Sequence, residues 1–251
     1  MFLEYYRPSR LAEALFLLGR STPLALPLGG GTFISHHEHR DCALVDLQLL
    51  SLNFIQVDQS QITIGGTTRL EQINLDPRIP VDLCKAIQHE AGLNMRQMMT
   101  LMGTLTTADG DSPLAITLLA MGARITVEPD HVELPLGDWF PLRGEGMRGK
   151  LATQLSIPKL LTIACEWVAR TPFDRPILWV ALGKTPSGNL SCAVNQPGSY
   201  PLLITSSGEP SSLGAEVSTA LQTGADPLAP TTYRSHCARV LTKRLISRDV
   251  E

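Results

Sequence analysis

The order of apolar runs and turn residues predicts an α+β fold in two parts, residues 1–158 and residues 159–251. Three observations carry this reading. Short strand-like runs are interspersed with helical stretches as far as Pro158, three strand-like runs separated by turn residues follow it, and two helical segments close the chain. Sheet first and helices afterwards indicates segregated α+β architecture, with an antiparallel meander in the second part.

Taken in order, Ser9 is a candidate helix cap, and Leu11, Ala14, Leu15 and Leu18 then fall at i, i+3, i+4 and i+7 to make one apolar stripe. Pro23 breaks the chain before a short buried strand, Leu24 to Leu28, which runs directly into Gly29-Gly30-Gly31-Thr32. Ala43 to Leu47 reads as a second strand, and Phe54 to Val57 with Gln61 to Ile64 as a hairpin across Asp58-Gln59-Ser60. Leu83, Ile87 and Ala91 mark a helix that Gly92 stops. A polar loop rich in Met and Thr is expected from Asn94 to Ser112. Pro113 opens a short helix through Met121, closed by Gly122 ahead of a strand from Ala123 to Glu128. Leu151, Thr153, Leu155 and Ile157 belong to a strand that Pro158 ends. The later strands are Leu161 to Ala169, Ile177 to Leu182 and Leu190 to Val194. The helices are Leu213 to Thr223 and Thr231 to Ile246, the latter with Cys237, Val240, Leu241 and Leu245 at helical spacing.

Composition narrows the function classes. At 43% hydrophobic and 18% charged residues, the 251-residue chain is ordinary for a globular protein able to bury a core. A formal charge of −3, with Lys and Arg scattered, gives no electrostatic footprint for nucleic acid or an anionic membrane. The first eight residues lack the basic and apolar regions of a signal peptide, and apolar runs such as Leu114 to Ala120 are too short to cross a bilayer. Cys42, Cys84, Cys165, Cys192 and Cys237 include no Cys-x-x-Cys pair, so local sequence assembles neither a zinc site nor an iron–sulfur cluster. Five reduced thiols in a cytoplasmic protein are expected.

A strand that feeds Gly-Gly-Gly-Thr has a physical use: glycine permits positive φ and leaves backbone N–H groups open to an anion with no Cβ in the way. The motif alone serves a tight turn equally well, and neither the Rossmann nor the P-loop context is present. A second small-residue turn lies in Met99-Thr100-Leu101-Met102-Gly103-Thr104, followed by Ala108-Asp109-Gly110-Asp111. With these two loops the chain resembles the FAD-binding subunit of molybdenum hydroxylases, the xanthine dehydrogenase and carbon monoxide dehydrogenase flavin-subunit family. The resemblance runs through Tyr6-Arg7-Pro8, Glu13-Ala14-Leu15, Gly29-Gly30-Gly31-Thr32, Asp46-Leu47, Ile64-Gly65-Gly66-Thr67-Thr68, Arg96 to Thr104, and Leu118 to Ala123. Toward the end it includes Asp226-Pro227-Leu228-Ala229, Tyr233-Arg234 and Leu241-x-x-Arg244. Each motif is short, and their order and spacing make the match specific.

The resemblance implies a vanillyl-alcohol-oxidase (PCMH) type FAD-binding domain over residues 1–158 and a smaller flavoprotein domain of antiparallel sheet and helices over 159–251. It implies that Leu28, Gly29, Gly30, Gly31, Thr32 and Phe33, with Thr100, Leu101, Gly103 and Thr104, cradle the FAD pyrophosphate. It further implies Asp109 or Asp111 near the ribityl or ribose hydroxyls, and the isoalloxazine toward the strand ending at Ile157. The expected role is electron transfer from iron–sulfur clusters in a small subunit, with substrate oxidation in a large molybdopterin subunit. Several positions depart from the family pattern: Met102 stands for the first of paired glycines, Thr104 for an asparagine, Phe33 for a polar residue and Pro113 for an acid, and the lysine that the family often has near Trp167 is missing. A structural subunit of the same complex with an empty flavin site is the competing expectation.

Other features carry less. His36-His37-Glu38-His39 lacks the His-Glu-x-x-His pattern and a second ligand cluster, and reads as a solvated loop. Ser35 and Ser112 lack a nucleophile elbow, and Met95, Met98, Met99 and Met102 read as packing residues.

Overall fold

The computed structural model describes residues 2–37, 41–160, 162–172, 174–206, 210–221 and 229–248. In chain order its elements begin with β1 (Phe2–Tyr6), α1 (Leu11–Leu18), β2 (Leu24–Leu28), α2 (Ile34–His37), β3 (Cys42–Asp46), β4 (Ile55–Val57) and β5 (Gln61–Gly65). Next come α3 (Leu70–Asn74), α4 (Val81–Glu90), α5 (Leu93–Arg96), α6 (Leu101–Thr107) and α7 (Pro113–Ala120). These lead to β6 (Arg124–Glu128), β7 (Val132–Pro135), α8 (Leu136–Trp139) and β8 (Leu151–Pro158). The chain finishes with β9 (Thr162–Val168), β10 (Leu178–Lys184), β11 (Leu190–Val194), β12 (Leu202–Ser206), α9 (Pro210–Ala220) and α10 (Thr231–Arg248).

The chain folds into two compact units. The first takes Met1–Asp76, Ala91–Thr107 and Arg124–Ile157, and the second takes Pro77–Glu90, Ala108–Ala123 and Pro158–Glu251. In the first unit, β1 and β2 flank β3 in parallel, so β3 is buried along its whole length. Ala14, Leu17 and Leu18 of α1 pack there on Ala25, Ala43, Val45 and Leu47, the contact that the apolar stripe foretold. The helix starts from Arg10 with no side-chain cap, so the expected capping by Ser9 is not made. The same unit contains a five-stranded sheet in the order β4-β5-β8-β6-β7.

In the second unit four antiparallel strands run β12-β11-β10-β9, one more than the three expected. The extra strand, Leu202–Ser206, alternates half-buried and exposed residues and so has the weakest apolar signal of the four. Leu178, Val180 and Leu182 face α9 and α10, packing with Leu213, Val217, Leu241 and Leu245. Val240 is 39% exposed, off the face that its spacing suggested. On the other face of β10, the Trp179 indole N–H donates to the Thr117 hydroxyl of α7 at 3.1 Å. A Cβ at Gly183 would stand 2.4 Å from the Ala120 carbonyl oxygen, so glycine is required where α7 crosses the strand. All eight residues of α7 are buried, which explains a helix apolar on every side.

The two helices α4 and α7 therefore pack on the C-terminal sheet although they precede residue 158 in the chain. Sequence order alone reads them with the first part, because nothing local says which sheet a buried helix will cover. The expected loop from Asn94 to Ser112 also differs: it contains α5 and α6. Leu101, Met102 and Leu105 give α6 a buried face, and its Thr and Gly residues had masked the helical signal.

Candidate functional site

Strand β2 ends at Leu28, whose carbonyl accepts from the Leu47 amide at 3.1 Å, and the chain then leaves the sheet. The amides of Gly29, Gly30, Gly31 and Thr32 donate to no acceptor among the described residues. Gly31 has φ +73°, the left-handed conformation that reverses the chain into α2, where the Ser35 amide bonds back to the Gly31 carbonyl at 3.1 Å. The neighbouring strand end is fixed by buried Asp46. Its carboxylate accepts the Tyr5 hydroxyl and, at 2.9 Å, the Gln48 amide, and it pairs with Arg7 at 3.5 Å. Beyond it Ser51 adopts φ +56° in the turn leading to Asn53.

These loops border a cleft of about 230 Å³ lined by Gly29 and Gly30, Thr67 and Arg69, and Met98 and Thr100, with Gln48 and Asn53 at its rim. That volume is smaller than a whole drug-sized ligand site and suits a phosphate-sized portion of a larger molecule. The two loops meet tightly. A Cβ at Gly30 would lie 1.8 Å from the Met98 carbonyl oxygen, and one at Gly29 would lie 2.6 Å from the Thr100 hydroxyl. Glycine at these two positions is thus demanded first by loop-on-loop packing, before any ligand is considered.

The second loop differs from the nest expected of it. Its segment is stitched to the turn after β5: Leu70 N donates to Met99 O and Leu101 N to Thr68 O, both at 2.9 Å, and Met102 N donates to Gly66 O at 3.0 Å. Thr100 caps α6, its hydroxyl accepting from Gly103 N at 3.3 Å while its carbonyl accepts from Thr104 N at 2.9 Å. The amides of Leu101, Met102, Gly103 and Thr104 are all used internally, so this loop presents Thr100 to the cleft and no open run of N–H groups. Met102 does not obstruct the cleft either. Its side chain is 6% exposed and sits over Gly66, where a Cβ would come within 2.9 Å of it. The Thr104 hydroxyl turns back to Thr100 O at 2.9 Å and is likewise buried.

The remaining sequence-derived positions scatter. Phe33 is 45% exposed beside the first loop, and Ile157 is buried in β8. Asp109 and Asp111 belong to the second unit. Exposed Asp109 accepts the Asp111 amide at 3.0 Å, a local turn bond. Asp111 is buried, pairs with Arg175 and accepts from Asn195 Nδ2 at 2.9 Å. Arg234, from the Tyr-Arg motif, is buried beside this network and donates to Asn195 O at 2.8 Å and Ile177 O at 3.3 Å. These residues organise the second unit. Ser112 has a structural duty as well: it accepts from Ala115 N at 3.1 Å and donates to Glu90 at 2.7 Å, while Glu90 also accepts Leu114 N at 3.0 Å. Burial pushes the Glu90 carboxyl above its usual range, with these two hydrogen bonds opposing. Trp167 stacks on Trp179 at 4.9 Å with His89 tilted against both. Glu38, His39 and the Asp226-Pro227-Leu228 stretch lie outside the described residues.

Five lining residues, Gln48, Asn53, Thr67, Arg69 and Met98, escaped the sequence reading of the site, and Arg69 is the cation among them. Arg69 follows the Gly-Gly-Thr-Thr turn, and only the fold brings it to the first glycine loop. A cation directly after a turn between two glycine loops was the available signal, but a lone arginine at the start of a short helix has many commoner explanations.

Residues 1–160 match the family described as the FAD binding domain in molybdopterin dehydrogenase. The glyceraldehyde dehydrogenase medium chain of Sulfolobus acidocaldarius is 28% identical, across 74% of this chain and 71% of its own length. An uncharacterized Escherichia coli protein, YgfM, is 26% identical across 50% of this chain and 49% of its own. Among solved structures, the Cu,Mo-CO dehydrogenase superimposes with a TM-score of 0.80 at 22% identity, covering 97% of this chain and 96% of that one. Quinoline 2-oxidoreductase from Pseudomonas putida 86 gives 0.79 at 19% identity, covering 99% and 96%. Identities this low speak to the fold.

Proposed function

Because the chain belongs to the family of FAD binding domains in molybdopterin dehydrogenases, we propose that it is the electron-transfer flavoprotein subunit of a molybdenum hydroxylase complex. On this reading residues 1–158 carry a PCMH-type flavin domain and residues 159–251 its smaller companion. FAD is the family's cofactor, and when bound it supplies reversible redox chemistry. The chain's own residues position it. The observation that carries the reading is the run of four amides, Gly29 to Thr32, with no acceptor among the described residues, the first two of which line a cleft of phosphate size. Successive N–H groups directed at one anion hold a diphosphate without a side chain. Thr100 lines the same cleft. Burial of Met102 supports retention of the site, because the most disruptive departure from the family pattern is turned into the interior.

The proposed partners are an iron–sulfur small subunit as electron donor and a molybdopterin large subunit where the organic substrate is oxidised. A permanent assembly of this kind buries more than about 2,000 Å². A second reading, a structural subunit without flavin, draws on the internally bonded amides of Leu101 to Thr104, which leave one loop for the diphosphate instead of two. Flavin content per polypeptide in the purified complex separates the two. Near-stoichiometric flavin is the expected result. A complex that assembles and turns over with no flavin absorption would establish the structural role. Purification from the native host as a lone monomer would count against both.

A further inference from the structure

We infer that Arg69 supplies the cationic contact to the diphosphate of the cofactor, taking over part of the duty that the second loop's amides do not perform; this rests on the FAD reading above. Arg69 lines the same cleft as Gly29 and Gly30, and none of the residues lining that cleft is a carboxylate. Its backbone is held in place by pairing with Thr100 and by the flanking bonds Leu70 N to Met99 O and Leu101 N to Thr68 O, each 2.9 Å. Its side chain is exposed and, among the described residues, has no hydrogen bond or ion pair.

The other arginines of this unit near these segments are committed elsewhere. Arg96 is tied to Glu71 at 2.6 Å and to Ala91 O at 2.8 Å, and Arg7 to Asp46 at 3.5 Å and Gln48 at 3.0 Å. Among the described residues, Arg69 is the cation that lines the cleft. Its planar guanidinium can bond two phosphate oxygens at once in a fixed fork, a geometry that neither a lysine's point charge nor a single backbone amide provides. Backbone amides offer partial charge, whereas a dinucleotide's diphosphate is a dianion. With the amides of Leu101 to Thr104 already bonded, a full positive charge in the cleft that Gly29 and Gly30 line is the complement to the open amides.

The test uses the full chain stripped of flavin and titrated with FAD by fluorescence quenching, comparing wild type, Arg69→Gln and Arg69→Lys at low and high ionic strength. A charge-assisted contact of this type predicts FAD binding about tenfold to a hundredfold weaker in Arg69→Gln, with partial recovery in Arg69→Lys. The affinity of wild type should fall with salt more steeply than that of Arg69→Gln. Inorganic pyrophosphate should itself bind more weakly to Arg69→Gln, its inhibition constant against FAD rising along with the FAD dissociation constant. Melting temperatures should coincide, since the exposed side chain has no hydrogen bond or ion pair among the described residues. Wild-type affinity and salt response in Arg69→Gln would overturn the inference and leave the FAD reading intact. Weaker FAD binding with an unchanged inhibition constant for pyrophosphate would also overturn it, because Arg69 would then touch another part of the cofactor. A wild-type chain that takes up no FAD would remove the FAD reading and this inference together.

Discussion

A single methyl group at Gly30 should force the two cleft-forming loops apart. Built on the backbone as it stands, the Cβ of Gly30→Ala lies 1.8 Å from the Met98 carbonyl oxygen and 2.7 Å from its carbonyl carbon, against the 3.4 Å at which ordinary contact begins. The obstacle is main chain, so no rotamer change relieves it, and the loops must separate by more than 1 Å. Overpacking of this kind costs about 3 kcal/mol, the upper part of the usual range for an inserted methyl group. The same displacement carries the Gly29 and Gly30 amides away from Arg69 and Thr100, so flavin content should fall with stability. Gly31→Ala is the matched control. Its φ of +73° strains any side chain, yet its Cβ meets only the Leu28 Cδ1 at 3.5 Å, so the loop contact survives. The expected cost there is about 1 kcal/mol, from the left-handed backbone alone. Urea unfolding of both variants, read with flavin per polypeptide, decides the matter. A Gly30→Ala protein within about 0.5 kcal/mol of wild type and fully loaded with flavin would refute the packing argument.

Other expectations concern the second unit. Since burial raises the Glu90 carboxyl above its ordinary 4.5, the folded state holds its proton where the unfolded chain has released it. This contribution to stability is complete below the ordinary value and is lost as pH rises through the raised one. Glu90→Gln keeps an oxygen for Ser112 and Leu114 and should flatten the dependence of the urea midpoint on pH above the ordinary carboxylate value. Arg234→Met leaves the carbonyls of Asn195 and Ile177 without this donor in a buried setting and should cost about 3 kcal/mol in the same unfolding assay, with the Trp167 and Trp179 fluorescence reporting the transition. Burial pushes the Cys165 and Cys192 thiols up to about 12, so an alkylating reagent at mild alkaline pH should label neither until denaturant is added, as peptide mass mapping would reveal.

Much of the fold was legible because strong local signals coincide with burial. The stripe at Ala14 and Leu18, the β4–β5 hairpin, the Pro113 start and Gly122 stop of α7, and the run of β10 all recur as read. Weaker signals failed for identifiable reasons. Strand β1, with five residues half-buried or exposed, has little apolar contrast, yet it pairs with β3 through backbone bonds that no side chain announces. Helix α6 was hidden by Thr and Gly, residues of poor helix propensity, and forms because Leu101, Met102 and Leu105 bury a face. Arg234 shows a similar limit: its motif marks the family, whereas its partners, Ile177 and Asn195, are distant in sequence.

By itself the sequence determined the strongly patterned elements, the glycine loop that follows β2, and the family, because these rest on local periodicity and on motifs in a particular order. Tertiary structure alone decided which groups reach the cleft. Both loops hold small residues at turns, yet the amides of Gly29 to Thr32 stay open while those of Leu101 to Thr104 bond to Gly66, Thr68 and Thr100. The reason is that a backbone amide's availability depends on whether another segment brings it an acceptor. In this chain the turn after β5 brings one to the second loop and sets Arg69 opposite the first.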